Sequence, residues 1–218
     1  NWDYRYTWIR DASFTVYAFM RLGFVEEANS YMRWLKGRVS DCCGQPTKIN
    51  ILYGIDGRQE LPETTLDHLT GHGGAKPVRV GNEAFDQIQL DIYGELMDAV
   101  YLVNKYGEAI SHEGWKHTVE VADQVCEIWN QKDVGIWEMR GEQHHFLHSR
   151  LMCWVALDRA IRLASKRSLP APFARWDQTR QAIYADIWSN FWNEERGHFV
   201  QHIGSTALDL SLIHISEP

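Results

Sequence analysis

No apolar run in these 218 residues approaches the ~18 needed to cross a bilayer, so no helical membrane span is expected within them. No signal peptide is visible in the opening stretch. Positive charge is the scarcer sign: 22 Lys and Arg stand against 29 Asp and Glu, for a formal charge of −7. A nucleic acid or an anionic membrane needs a basic face that this balance does not supply. The four cysteines form no CxxC pair and no disulfide framework. Cys126 and Cys153 fall inside helical apolar patterns, where a thiol behaves as a small hydrophobe, and Cys42 and Cys43 are neighbours in a loop. That usage points to a reduced, cytoplasmic setting. HExxH is missing, and so is a Gly-rich loop between a strand and a helix, so neither a metal nor a nucleotide cofactor is expected. His144 and His148 would share a helix face, but no carboxylate is suitably spaced. Hydrogen bonding at a helix start accounts for them better than a metal. Sustained period-two alternation is also absent, which leaves an all-α chain.

What the chain has in quantity is aromatic rings, ten Trp, nine Tyr and eight Phe, distributed over six helical patterns. The first runs from Asp11, with Phe14, Tyr17, Ala18 and Leu22 on one face and Gly23 as its stop. The second begins near Glu26, with acids first and Arg33, Lys36 and Arg38 last, the order a helix dipole favours. Positions 42–81 read as a long loop rich in Gly and Pro, whose Tyr53, Asp56, Arg58, Glu60 and Glu63 suit a functional role. A third helix is predicted over Ala84–Tyr106, with Gln87 and Asp91 on one polar face. A fourth covers His112–Asn130, with Trp115, Val119, Ala122, Cys126 and Trp129 as its stripe. The fifth covers Phe146–Ser165, with Leu151, Trp154, Val155 and Ile161, and Pro172 opens a sixth through Trp176, Ile183, Ile187 and Phe191. Short and long connections alternate, which suits paired helices wound about an axis with polar motifs gathered at one rim. No repeat of solenoid length is visible.

Three stretches carry candidate chemistry. The first, Asn1 to Phe14, packs five rings, Arg10 and Asp11 ahead of a helix. Rings suit the C–H face of a sugar, and an Arg fork with a carboxylate suits its hydroxyl rim. An aromatic helix start with Asp11 as N-cap is the plainer alternative. The second, Gly81 to Glu95, sets Gln87 and Asp91 four residues apart and so available to hydroxyl groups, or simply on a solvated face. The third is Asp133-Val134-Gly135-Ile136-Trp137-Glu138-Met139-Arg140-Gly141. A carboxyl beside a large apolar ring loses hydration, which favours its protonated form, the form a general acid needs. A surface Glu138–Arg140 pair is the structural alternative.

The order Tyr4, Tyr6, Trp8, Arg10, Asp11 resembles the first catalytic-domain motif of glycoside hydrolase family 15, which holds glucoamylases, related α-glucosidases and some microbial trehalases. Gly81 to Glu95 and the Trp137-Glu138 loop resemble that family's second and third motifs, in order and at similar spacing. The resemblance implies an (α/α)6 toroid of twelve helices, with residues 1–212 supplying roughly its first six. Ile213 to Pro218 do not resemble the family and read as a foreign tail. It also implies an inverting hydrolase of α-glucosidic bonds, with Glu138 as general acid. Tyr4, Trp8, Arg10 and Asp11 would hold the sugar, Tyr53, Gln87 and Asp91 would line its pocket, and Trp137 would shape and dry it. The general base would lie beyond Pro218, so these residues alone are expected to be inactive, with an apolar edge left open on the last two helices. Met139 stands where fungal glucoamylases carry a second acid, so that contact is not carried over. Trehalose and maltooligosaccharides are not separated by these motifs. A non-catalytic helical carbohydrate-binding or scaffold protein is the competing class.

Overall fold

The computed structural model describes residues 2–40, 49–138 and 140–208. Cys42, Cys43, Met139 and the 213–218 tail lie outside the described residues. Six helices dominate: α1 (Ile9–Leu22), α2 (Val25–Ser40), α3 (Asp91–Tyr106), α4 (His112–Ile128), α5 (Leu147–Arg167) and α6 (Phe173–Phe191). They form two rows. In one, α3 packs between α1 and α5; in the other, α4 lies between α2 and α6 and packs against α3 and α5. Among the described residues these rows make an open arc of paired helices and not a closed barrel.

Local chemistry explains most boundaries. Gly23 at φ 92° ends α1 and donates its N–H to the Phe19 carbonyl, while Ser111 caps α4 by accepting from Gly114 N–H. Expected and observed elements part at α3. Glu83–Asp86 is a separate 3-10 turn, Gln87 after it is extended, and the helix begins only at Asp91. Gln87 and Asp91 therefore do not share a helix face. The cause lies in tertiary bonding, because Val134 N–H donates to the Ile88 carbonyl and the Asp133 carboxylate accepts from Leu90 N–H, which holds this segment off the helical path.

On two helices a close neighbour selects the most buried face. On α1 the core face is Ile9, Ser13, Val16 and Met20, whereas Phe14, Tyr17, Ala18 and Leu22 face outward. Ser13 is accommodated because its hydroxyl donates to the Ile9 carbonyl at 2.9 Å, and its small size lets α3 approach. On α5, Leu151, Trp154, Val155 and Ile161 are half-buried, and the core is Cys153, Ala156, Leu157, Ala160 and Ala164. Small residues win this face because α3 comes very close. A Cβ on Gly94 of α3 would sit 2.2 Å from the Met152 carbonyl oxygen of α5.

The long loop has structure of its own. Antiparallel pairs join β1 (Thr7–Trp8) to β2 (Leu52–Tyr53) and β3 (Thr64–Thr65) to β4 (Arg79–Val80), and a third joins β5 (Trp192–Asn193) to β6 (His198–Phe199). Ile49, Ile51, Leu52, Tyr53 and Leu61 anchor the loop in the main core. Its pairing with β1 braces the backbone that leads into α1: Thr7 opposes Tyr53, and Ile9 N–H donates to the Ile51 carbonyl.

Candidate active site

The N-termini of α1, α3 and α5 converge on one region, each bringing the partial positive charge of unpaired N–H groups. α1 supplies Trp8 and Arg10, the approach to α3 supplies Gln89 and Asp91, and α5 supplies His148 and Ser149. Between α4 and α5, a tight turn closed by Glu138 N–H to the Gly135 carbonyl delivers Glu138 to the same place.

Arg10 is the hub. Its Nη1 donates to Gln89 Oε1 at 3.1 Å and lies 3.5 Å from Asp91 Oδ2. Its Nη2 lies 3.4 Å from Glu138 Oε1 and 3.6 Å from Asp11 Oδ2. The planar guanidinium thus spans four acceptors from three stretches of chain, as a point-like ammonium would not. Asp91 is fully buried, and among the described residues neither of its oxygens is hydrogen-bonded. It lies 3.5 Å from the Arg10 guanidinium and 4.0 Å from His148 Nδ1, and is 0% exposed.

Glu138 is 5% exposed and accepts from Trp8 Nε1 at 2.5 Å. Both Trp8 and Arg10 contact Oε1 of this carboxyl. The residue sits at φ 52°, in the left-handed region that a non-glycine residue enters at a cost of order 1–3 kcal/mol. Gly135 at φ 68° makes the turn possible, since a Cβ there would meet the Phe146 ring at 2.9 Å.

A cleft of about 740 Å³ opens over these groups, floored by Trp8, Arg10 and Glu138 and walled by Tyr4, Tyr6, Asp11 and Trp137. That volume suits a small polar molecule. Tyr4 is 71% exposed with its ring 5.4 Å from that of Trp8, and Trp137, also in the cleft lining, is 60% exposed.

Several site expectations change. Trp137 lines the cleft at 60% exposure, and the indole that donates its N–H to the Glu138 carboxyl is the buried Trp8. Tyr53 is wholly buried, with its hydroxyl accepting from Asn50 N–H, and it packs edge-on to Trp34 behind β1. Gln87 and Asp91 do not line the cleft either. Gln89, unremarked in the sequence, is the glutamine that touches Arg10; only its place two residues before Asp91 hints at this. His144 precedes α5 and stacks on His202 at 4.4 Å, so it shares no helix face with His148. Among the described residues no group of three His, Cys, Asp or Glu is placed to hold a metal.

Two further buried acids lie beneath the cleft. Burial, reinforced by Asp91 and Asp98, pushes Glu95 up to about 8. Burial likewise raises Asp133 to about 6 against its hydrogen bonds from Leu90 and Ser149.

A sequence model of glycosyl hydrolases family 15 matches residues 1–217. The chain belongs to this family. Within glycosyl hydrolase family 15, trehalases of Mycolicibacterium smegmatis and Thermoplasma acidophilum are 37% and 34% identical to it, over 98% and 99% of its length. The chain spans about a third of those relatives, 32% and 36% respectively. Its fold is similar to that of a solved glycosidase, with a TM-score of 0.68 at 21% identity, covering 94% of this chain and 53% of the glycosidase. The mainly helical architecture is thus that of part of a family glycosidase domain.

Proposed function

We propose that these residues form the acid-bearing side of a catalytic cleft that hydrolyses α-glucosidic bonds with inversion. The observation that carries the reading is Glu138 on the cleft floor, with Trp8 and Arg10 both committed to Oε1. Glu138 Oε2 gives its proton to the glycosidic oxygen as the bond from that oxygen to the anomeric carbon breaks. A second carboxylate, about 6.5–9.5 Å away on the opposite face of the sugar, removes a proton from the attacking water. That base is proposed to come from outside the described residues. Arg10 and Asp11 take the sugar hydroxyls, Tyr4 and Trp137 offer ring faces, and Trp8, Gln89 and Asp91 hold Glu138 and Arg10 in place. The trehalase relatives make trehalose the first substrate to test. The free thiols of Cys126 and Cys153 support a reduced, cytoplasmic setting as part of the same proposal.

The test is to incubate the whole protein with trehalose, maltose and maltotriose and to follow glucose by proton NMR. Maltose should release β-glucose from its non-reducing end, and trehalose one β- and one α-glucose. Two α-glucoses from trehalose would reject inversion. Glu138→Gln should lower turnover by roughly 10²–10⁴-fold with little loss of sugar binding, and near-normal turnover would reject the acid assignment. Sugar binding without any glucose release would instead favour a non-catalytic carbohydrate-binding protein.

A further inference from the structure

Asp133 does not line the cleft, yet three donors from three elements converge on its buried carboxylate. Oδ2 accepts from Leu90 N–H at 2.9 Å and from Ser149 Oγ at 2.6 Å, and Oδ1 accepts from Gly135 N–H at 3.3 Å. Leu90 lies between Gln89 and Asp91, the two residues of that segment that set Arg10. Gly135 opens the turn that Glu138 closes, and Ser149 stands in the first turn of α5. The Asp133 backbone is itself fixed, by reciprocal 2.9 Å bonds with His144. A single side chain therefore ties the segment that places Arg10 to the turn that places Glu138.

These two partners meet across one contact of 3.4 Å, and Glu138 meets Trp8 through the same oxygen. A slip between the segments would open both contacts. An asparagine at position 133 has one acceptor oxygen where donors converge on two, so at least one tie must break. Loss of Ser149 Oγ removes a tie while the Asp133 carboxylate and the other two donors stay.

We propose that Asp133 is a positioning residue, which with Ser149 holds the Glu138 turn in register with Arg10 and Trp8. The catalytic part of this inference rests on the reading of Glu138 as general acid; the geometric part does not. The test therefore has two readouts. The first labels the tryptophan indoles with ¹⁵N and assigns Trp8 by its disappearance in Trp8→Phe. In the wild type the Trp8 indole proton should resonate downfield, as befits a donor to a carboxylate. In Ser149→Ala and Asp133→Asn it should move upfield while the other indoles keep their positions. An unmoved Trp8 resonance in both variants overturns the proposal. So does a shift shared by every indole, which marks general loosening.

The second readout is steady-state hydrolysis by the whole protein, with rates normalised to folded protein. Ser149→Ala should lower kcat about tenfold to a hundredfold, with KM changed by much less, as a small displacement of the acid requires. Unchanged kcat per folded molecule leaves Asp133 a merely structural residue and rejects its positioning role. If the Trp8 resonance moves as stated but the wild type cleaves no glucoside, the hydrolase reading fails and the positioning geometry stands.

Discussion

Replacing Glu95 by Gln should stabilise the protein at alkaline pH and leave it nearly unchanged in acid. Glu95 lies one turn after Asp91 on α3, buried, with Asp91, Asp98 and Asp11 as like-charged neighbours and Arg10 as the opposing one. Its folded-state value of about 8 stands well above its ordinary 4.5. The sign follows directly. Below the ordinary value the carboxyl is protonated in both states and costs nothing. As pH rises towards the folded value, the unfolded chain releases the proton while the folded chain keeps it, so stability falls across that window. Roughly 1.4 kcal/mol per pH unit over about three units gives a loss on the order of 4 kcal/mol. Glutamine has the same shape and no proton to lose. Urea unfolding of both proteins at several pH values from about 4.5 to 9 isolates the effect as their difference, since every other titrating group is shared. The difference should be near zero at the acid end, grow through neutrality and level off above the folded value. A flat difference, or one that shrinks as pH rises, would refute the buried-acid reasoning.

Arg10→Ala leaves Asp91 buried without its guanidinium, and such a loss typically costs about 3–5 kcal/mol; a thermal melt should fall accordingly, with Arg10→Lys recovering only part of it. Gly94→Ala forces a methyl against the Met152 carbonyl and should destabilise by about 1–3 kcal/mol or more in urea unfolding. Gly37→Ala is its control: this helical glycine has open space around it and should gain about 0.5–1 kcal/mol.

The sequence made the helices legible where local chemistry sets them. Gly23, the acids that open α2 and the Trp176, Ile183, Ile187, Phe191 stripe of α6 all stand as read. It misled where two faces of one helix are both apolar. Periodicity on α1 matches Phe14 and Tyr17 as well as Val16 and Met20, and only the close approach of α3 selects the face that carries Ser13. On α5 the buried face mixes Ala156, Ala160, Ala164 and Cys153 with Leu157. At the site, Glu138, Arg10 and Asp11 were nameable from their motifs, and the structure brings all three to one cleft. The bond from Trp8 to Glu138 was not, because nothing local to either residue signals the other. Helical spacing singles out Gln87 and hides Gln89, because the chain is extended at Gln87.

Trp8 and Glu138 are 130 positions apart, and their meeting has a consequence for synthesis. At about 5–20 residues per second, a ribosome that has made Trp8 works for roughly ten seconds before it makes Glu138. Through that interval the Trp8 indole N–H lacks its carboxylate partner, while the Arg10 fork gains Gln89 and Asp91 well before Glu138 is made. Even then α5 is unmade, so Ser149 has yet to reach Asp133. Until Glu138 is made, the stretch that carries Trp8 and Arg10 stands without the acid that meets both. The contacts among Trp8, Arg10 and Glu138 cannot accrue gradually along such a chain; they are complete only once the segments that carry them have all been made and docked.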